Sequence, residues 1–167
     1  MALSKENAQA LNAGFLDFLK AHFPQWLEHV RILRDEDAGQ DFLGLTIPDP
    51  SGITHEHPLE ISTWGEEITV FFGDFHTHFS WPEGFDGSDS YGQIIDFLQA
   101  LLNEDIIIAS VWKEDRMRLS STAHPGDLTK FSDVPAGDHE LRIASWRGTY
   151  DRRFPVDWQS YLKASHS

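Results

Sequence analysis

The chain has 167 residues, 40% of them apolar and 13% aromatic, which suffices for one domain with its own core and excludes a mostly disordered polypeptide. It contains no cysteine, which excludes disulfides, thiolate chemistry and Cys-based zinc sites. A formal net charge of −14 weighs against nucleic acid and against anionic membranes as partners, since both repel an acidic surface.

Ser4 is placed to cap a helix whose apolar positions Ala8, Leu11, Phe15, Phe18 and Leu19 recur at intervals of three and four. Pro24 interrupts it. Trp26, Leu27, Val30 and Leu33 then suggest a second short helix closed by Gly39. The period changes to two at Phe42–Ile47, which predicts a strand, and Pro48 to Gly52 has turn chemistry. Leu59–Thr63 and Glu67–Phe72, separated by Trp64, Gly65 and Glu66, predict a hairpin. A helix follows Ser88 and Asp89, with Ile94, Ile95, Phe97, Leu98, Leu101 and Leu102 on its buried face. Ile106–Trp112 is apolar on both faces, as a central strand is. A turn at Lys113–Asp115 leads to a strand over Arg116–Ser121. A loop with Pro125, Gly126, Pro135 and Gly137 precedes a last strand near Leu141–Trp146, and the aromatic, basic segment Tyr150–Lys163 ends in a short helix. This order does not alternate as βαβ units do. It predicts a single α+β domain over residues 1–167, with a mainly antiparallel sheet of about six strands and with N-terminal helices and one central helix packed on one face.

Asp74, His76 and His78 fall two apart after a strand, so in an extended chain they share a face. Two imidazoles and a carboxylate on one face are a candidate divalent-metal set. The run Asp74-Phe75-His76-Thr77-His78 resembles the first metal motif of the PHP phosphoesterases and, more loosely, of the amidohydrolases. Those families draw further ligands from later barrel strands, whereas only 89 residues follow His78 here. A complete barrel takes about 250. Two other readings compete: imidazoles hydrogen-bonded at a strand end with Phe75 and Phe79 opposite, or imidazoles on a surface patch. His55 and His57 lie in a turn before Pro58 and read as solvated; His124, His139 and His166 form no ligand motif. Asp86–Phe97 has Tyr91 and Phe97 where a calcium loop needs Gly and Glu, so Asp89 or Ser90 reads as a helix cap. No nucleophile elbow, P-loop or dinucleotide fingerprint occurs. No cofactor is expected.

The charge is unevenly spread. From Asp35 to Glu104 fifteen Asp and Glu occur with no Lys or Arg, while residues 1–34 hold four basic and three acidic side chains and residues 105–167 nine of each. Such a segment repels itself, which either serves solubility alone or attracts a basic partner. Glu60–Phe79 (EISTWGEEITVFFGDFHTHF) and Ala100–Lys113 (ALLNEDIIIASVWK) resemble, over about residues 58–122, small bacterial immunity proteins paired with polymorphic or contact-dependent toxins. The resemblance implies an acidic, cytoplasmic, non-enzymatic protein that covers the active site of a cognate basic toxin domain. The expected contact residues are Trp64, Glu66, Glu67, Asp74, His76, His78, Trp81, Glu83, Asp86 and Asp89, with Trp64 and Trp81 as anchors. The alternatives are a metal-dependent hydrolase built on Asp74, His76 and His78, or an acidic adaptor or DNA mimic. No signal-type apolar segment opens the sequence and no apolar run approaches the ~20 residues of a membrane span, so a soluble cytoplasmic protein is expected.

Overall fold

Ala8, Leu11, Phe15, Phe18 and Leu19 lie on one face of α1 (Lys5–His22), and all five are buried there. The helix stops where Pro24 cannot continue it, and a 3₁₀ turn over Pro24–His29 follows, with Phe23 and Trp26 stacked at 4.3 Å between ring centroids. The computed structural model describes residues 5–49, 52, 58–65, 67–80 and 89–166. Ser4, the expected cap of α1, lies outside them.

Beyond His29 the chain departs from the expected second helix. Val30–Asp35 is strand β1, paired antiparallel with β2 (Gln40–Ile47) from Val30↔Leu45 to Asp35↔Gln40. Trp26, Leu27, Val30 and Leu33 have helical spacing, but β-branched Val30 and Ile32 favour extended backbone, and pairing with β2 takes over. Gly39 at φ +64° turns the hairpin instead of closing a helix, and Asp35 Oδ1 accepts the Ala38 N–H at 3.0 Å. Strands β3 (Leu59–Ser62) and β4 (Glu67–Phe72) form the expected hairpin. A two-residue turn, Gly73–Asp74, leads to β5 (Phe75–Ser80), which completes a five-stranded sheet in the order β1-β2-β3-β4-β5. The sheet's buried face carries Leu43, Leu45, Ile47, Leu59, Ile61, Ile68, Val70 and Phe72, and α1 contacts β2. The Thr63 hydroxyl accepts the Leu43 N–H at 2.8 Å and donates to Asn12 Oδ1 at 2.6 Å, tying α1 to the sheet.

Helix α2 (Asp89–Leu102) buries Ile94, Leu98 and Leu101. A second sheet follows in the order β7-β6-β8-β9, from β6 (Ile107–Lys113), β7 (Arg116–Ala123), β8 (His139–Ala144) and β9 (Arg152–Val156). Ile107 to Val111 of β6 are buried without a break, as expected of a central strand. Between Pro125 and Gly137 the expected loop holds a 3₁₀ turn (Pro125–Asp127) and α3 (Leu128–Ser132), because Leu128 and Phe131 have a core to enter. That core joins Ile107, Ala109, Val111, Leu141, Ile143 and Tyr161 of α4 (Trp158–Ser165). Asp157 caps α4, accepting the Ser160 N–H at 2.9 Å.

The fold is therefore α+β with antiparallel sheets. In place of one sheet of about six strands there are two, of five and four strands. The chain divides into two compact units: residues 1–48, 54–72 and 76–97, and residues 49–53, 73–75 and 98–167. Among the described residues no helix is long and apolar enough to cross a membrane.

Two glycines test packing in opposite directions. A Cβ on Gly137 would stand 2.6 Å from Asp157 Cα and 2.7 Å from the Val156 carbonyl, both backbone atoms. Gly137→Ala is expected to destabilise by about 1–3 kcal/mol in urea unfolding. Gly92, inside α2, meets nothing within 4 Å, so Gly92→Ala is expected to stabilise by about 0.5–1 kcal/mol.

Glu104, just after α2, has a nearly buried side chain and a left-handed backbone at φ +61°. Burial opposes its ionisation, but hydrogen bonds from the Thr149 hydroxyl, the Arg147 N–H (2.7 Å) and the Ser145 hydroxyl outweigh it and hold the carboxyl below its ordinary range. The stability this carboxylate contributes is present above its unfolded value and is lost as pH falls through the lower folded one. Thermal melts are expected to fall more steeply with acidification below about pH 4.5 in the wild type than in Glu104→Gln.

Candidate binding site

Side chains alternate across a pleated strand, so burying Leu43, Leu45 and Ile47 forces Phe42, Gly44 and Thr46 to the other face of the first sheet. The register extends these positions into rows. Arg31, Gly44, Ser62 and Thr69 lie side by side, as do Thr46, Glu60 and Phe71, and Leu33 lies beside Phe42. Gly44 and Ser62 are small, and a groove of about 450 Å³ runs over them, walled by Leu33 and Phe42 on one side and by Glu60 and Phe71 on the other. Leu33 leans across the strand, with its Cδ1 2.8 Å from where a Cβ on Gly44 would stand. Phe71 is 39% exposed, and the exposed carboxylate of Glu60 has no hydrogen-bond or ion-pair partner among the described residues. Arg31 and His29, at the groove, are both engaged. Arg31 Nη1 donates to the carbonyls of Glu28 (3.0 Å) and Val30 (2.9 Å), and His29 Nε2 is 3.5 Å from Glu28 Oε1.

The same face continues onto β5. The His76 ring lies 5.5 Å from that of Phe71 and 5.0 Å, edge-on, from that of His78. His78 Nδ1 is 2.6 Å from Glu67 Oε1 and 3.1 Å from Thr69 Oγ1. An ionised carboxylate only accepts, so Nδ1 carries the proton. Of the expected contact residues, Glu67, His76 and His78 are thus brought together. Trp64 is 59% exposed at the β3–β4 turn, and its indole N–H donates to Asp35 Oδ2 at 2.7 Å. The Ala38 N–H and this indole hold the Asp35 carboxyl below the usual range. Asp89 is the first residue of α2. Glu66, Trp81, Glu83 and Asp86, and the turn histidines His55 and His57, lie outside the described residues.

Asp74 lies outside the extended run, Phe75–Ser80, that carries the two histidines, contrary to the extended-chain expectation. It occupies the turn before β5, where its Oδ2 accepts from Ser110 Oγ at 2.6 Å and from Trp112 Nε1 at 3.2 Å. Among the described residues no group of three or more His, Asp and Glu is placed to hold a metal ion. The two-residue spacing is real, but it converges only while backbone stays extended, and Gly73–Asp74 is a turn with Gly73 at φ +58°.

The groove residues Glu60, Ser62, Phe71, Leu33 and Phe42 were not singled out by the sequence. One signal did point there: Gly44 stands inside a strand between Leu43 and Leu45, and a strand glycine often marks a bulge or close approach by something else. No protein family, no curated protein and no solved structure matches this chain.

Ser110 is 1% exposed, so removing its acceptor leaves a buried hydroxyl unsatisfied. Asp74→Ala is expected to cost about 1–3 kcal/mol of stability in urea unfolding. Ser110→Ala is expected to cost less, because the carboxylate keeps the Trp112 donor.

Proposed function

We propose that this chain is a non-enzymatic, cytoplasmic binding protein that neutralises a basic partner, as an immunity protein neutralises a toxin. The observation carrying the reading is the division of charge. The first unit holds four Lys and Arg against fifteen Asp and Glu, the second nine against twelve. Three of the first unit's four bases are themselves occupied: Lys20 lies 2.9 Å from Asp17, Arg34 2.8 Å from Asp41, and Arg31 is bound to carbonyls. A toxin that handles phosphate carries a basic surface, and complementary fields raise association from about 10⁵–10⁶ to about 10⁸–10⁹ M⁻¹s⁻¹ at low salt. The likeness of Glu60–Phe79 and Ala100–Lys113 to immunity proteins supports the same reading.

The test is co-expression with the product of the adjacent reading frame. Protection from toxicity is expected, through a complex whose association rate falls about tenfold from low to physiological salt. Protection is also expected to persist in excess chelator. A frame product that neither binds nor is neutralised sinks the reading. A divalent ion retained through dialysis, and lost together with activity in the His76→Ala, His78→Ala double variant, would favour metal-dependent hydrolysis instead.

A further inference from the structure

The second unit contains a complete three-part arrangement on its sheet. Trp112 of β6 and Glu140 of β8 are cross-strand partners, and Arg142, two residues along β8, fills the place beside them. Its guanidinium lies 4.3 Å from the centroid of the Trp112 ring, and its Nε donates to Glu140 Oε1 at 2.5 Å. Aromatic ring, carboxylate and arginine thus complete one another within a single surface.

The first unit repeats two of the three parts. Phe71 of β4 and Glu60 of β3 are cross-strand partners in the same antiparallel sense, so their side chains stand about 4.5–5.5 Å apart at Cβ. Two residues along β3 from Glu60 is Ser62, where β8 has Arg142. The groove occupies the room the short side chain leaves. Glu60 lacks a cation among the described residues and Phe71 is exposed, so the carboxylate and the ring both stand ready for one.

We infer that this groove seats an arginine side chain presented by a basic protein partner, with its guanidinium against Glu60 and its plane on Phe71. The inference rests on the basic-partner reading for its occupant, and on Glu60, Phe71 and Ser62 for its site. Arginine fits better than lysine because a planar guanidinium can bind a carboxylate in its plane while an aromatic ring covers its face. Arg31 opposes a second cation at the β1 end of the groove, so the partner's arginine sits at the Glu60–Phe71 end. An anionic ligand would meet the field of the whole acidic unit.

Titration of the isotope-labelled full chain with N-acetyl-arginine amide, followed by amide chemical shifts, tests the site without the partner. Shifts are expected at Gly44, Glu60, Ser62 and Phe71 and nowhere on the second unit. Glu60→Gln is expected to weaken binding about three- to fivefold. Asp96→Asn, which removes another unpartnered exposed carboxylate of the first unit, is expected to leave it unchanged. The uncharged citrulline analogue should not bind, and Ser62→Arg should abolish binding by filling the groove from within. No groove shifts, or equal weakening by Glu60→Gln and Asp96→Asn, would overturn the inference while leaving charge-steered recognition intact. So would a captured partner that binds Glu60→Gln, Phe71→Ala as tightly as wild type. Groove shifts with the arginine probe, but no basic partner in the co-expression test, would keep the site and remove the reading of its occupant.

Discussion

Antiparallel pairing of β2 with β3 places Leu45 beside Ile61 and Ile47 beside Leu59 on the buried face, and pleating then forces Gly44 beside Ser62 and Thr46 beside Glu60 on the other. Core and groove are consequences of one register. A slip of one residue would turn Glu60 inward and the aliphatic residues to water, at a cost no local adjustment offsets. Two further constraints hold the register at its end. The Thr63 N–H bonds to the Leu43 carbonyl at 3.0 Å, and the Thr63 hydroxyl links Leu43 to Asn12 of the helix beneath. The small residues on the open face cost the sheet little, since the aliphatic face supplies most of the burial.

The two units handle charge differently. In the second, Lys113 pairs with Asp138, Lys130 with Asp127, and Arg142 with Glu140. Exposed pairs of this kind add little stability, about 0–1 kcal/mol each. Their larger effect is on the field, which they cancel at short range. The first unit, with four bases against fifteen acids, has too few for such cancellation. The second unit, with nine bases against twelve acids, is much closer to balance.

What was legible in the sequence was whatever one element encodes by itself. α1, α2, β2, the β3–β4 hairpin and the central strand β6 all show their period or their unbroken apolar run. The strands that sequence patterns missed are those whose identity comes from a neighbour. β1 takes its conformation from β2 although Trp26, Leu27, Val30 and Leu33 are spaced as on a helix, and β9, at a sheet edge, carries Pro155 after the exposed Arg152 and Arg153. Short α3 was hidden for a similar reason, since Leu128 and Phe131 mean little until the core they enter exists. The site divided along the same line. Glu67 and His78 were visible as polar residues near a strand end. The relation of Glu60 to Phe71 across eleven residues depends on pairing, which composition and spacing do not reveal.

Residues 49–53 and 73–75 belong to the second unit although first-unit sequence flanks them on both sides. Neither unit is therefore a continuous stretch of the gene. A recombination event that exchanges a single block of coding sequence cannot carry either unit whole without carrying part of the other. Such a chain cannot exchange either unit as a cassette, in the way repeat proteins or tandem modules do. Change by substitution in place stays open to it, and the exposed row of Thr46, Glu60 and Phe71, on the face opposite the aliphatic one, can take such change without disturbing that face.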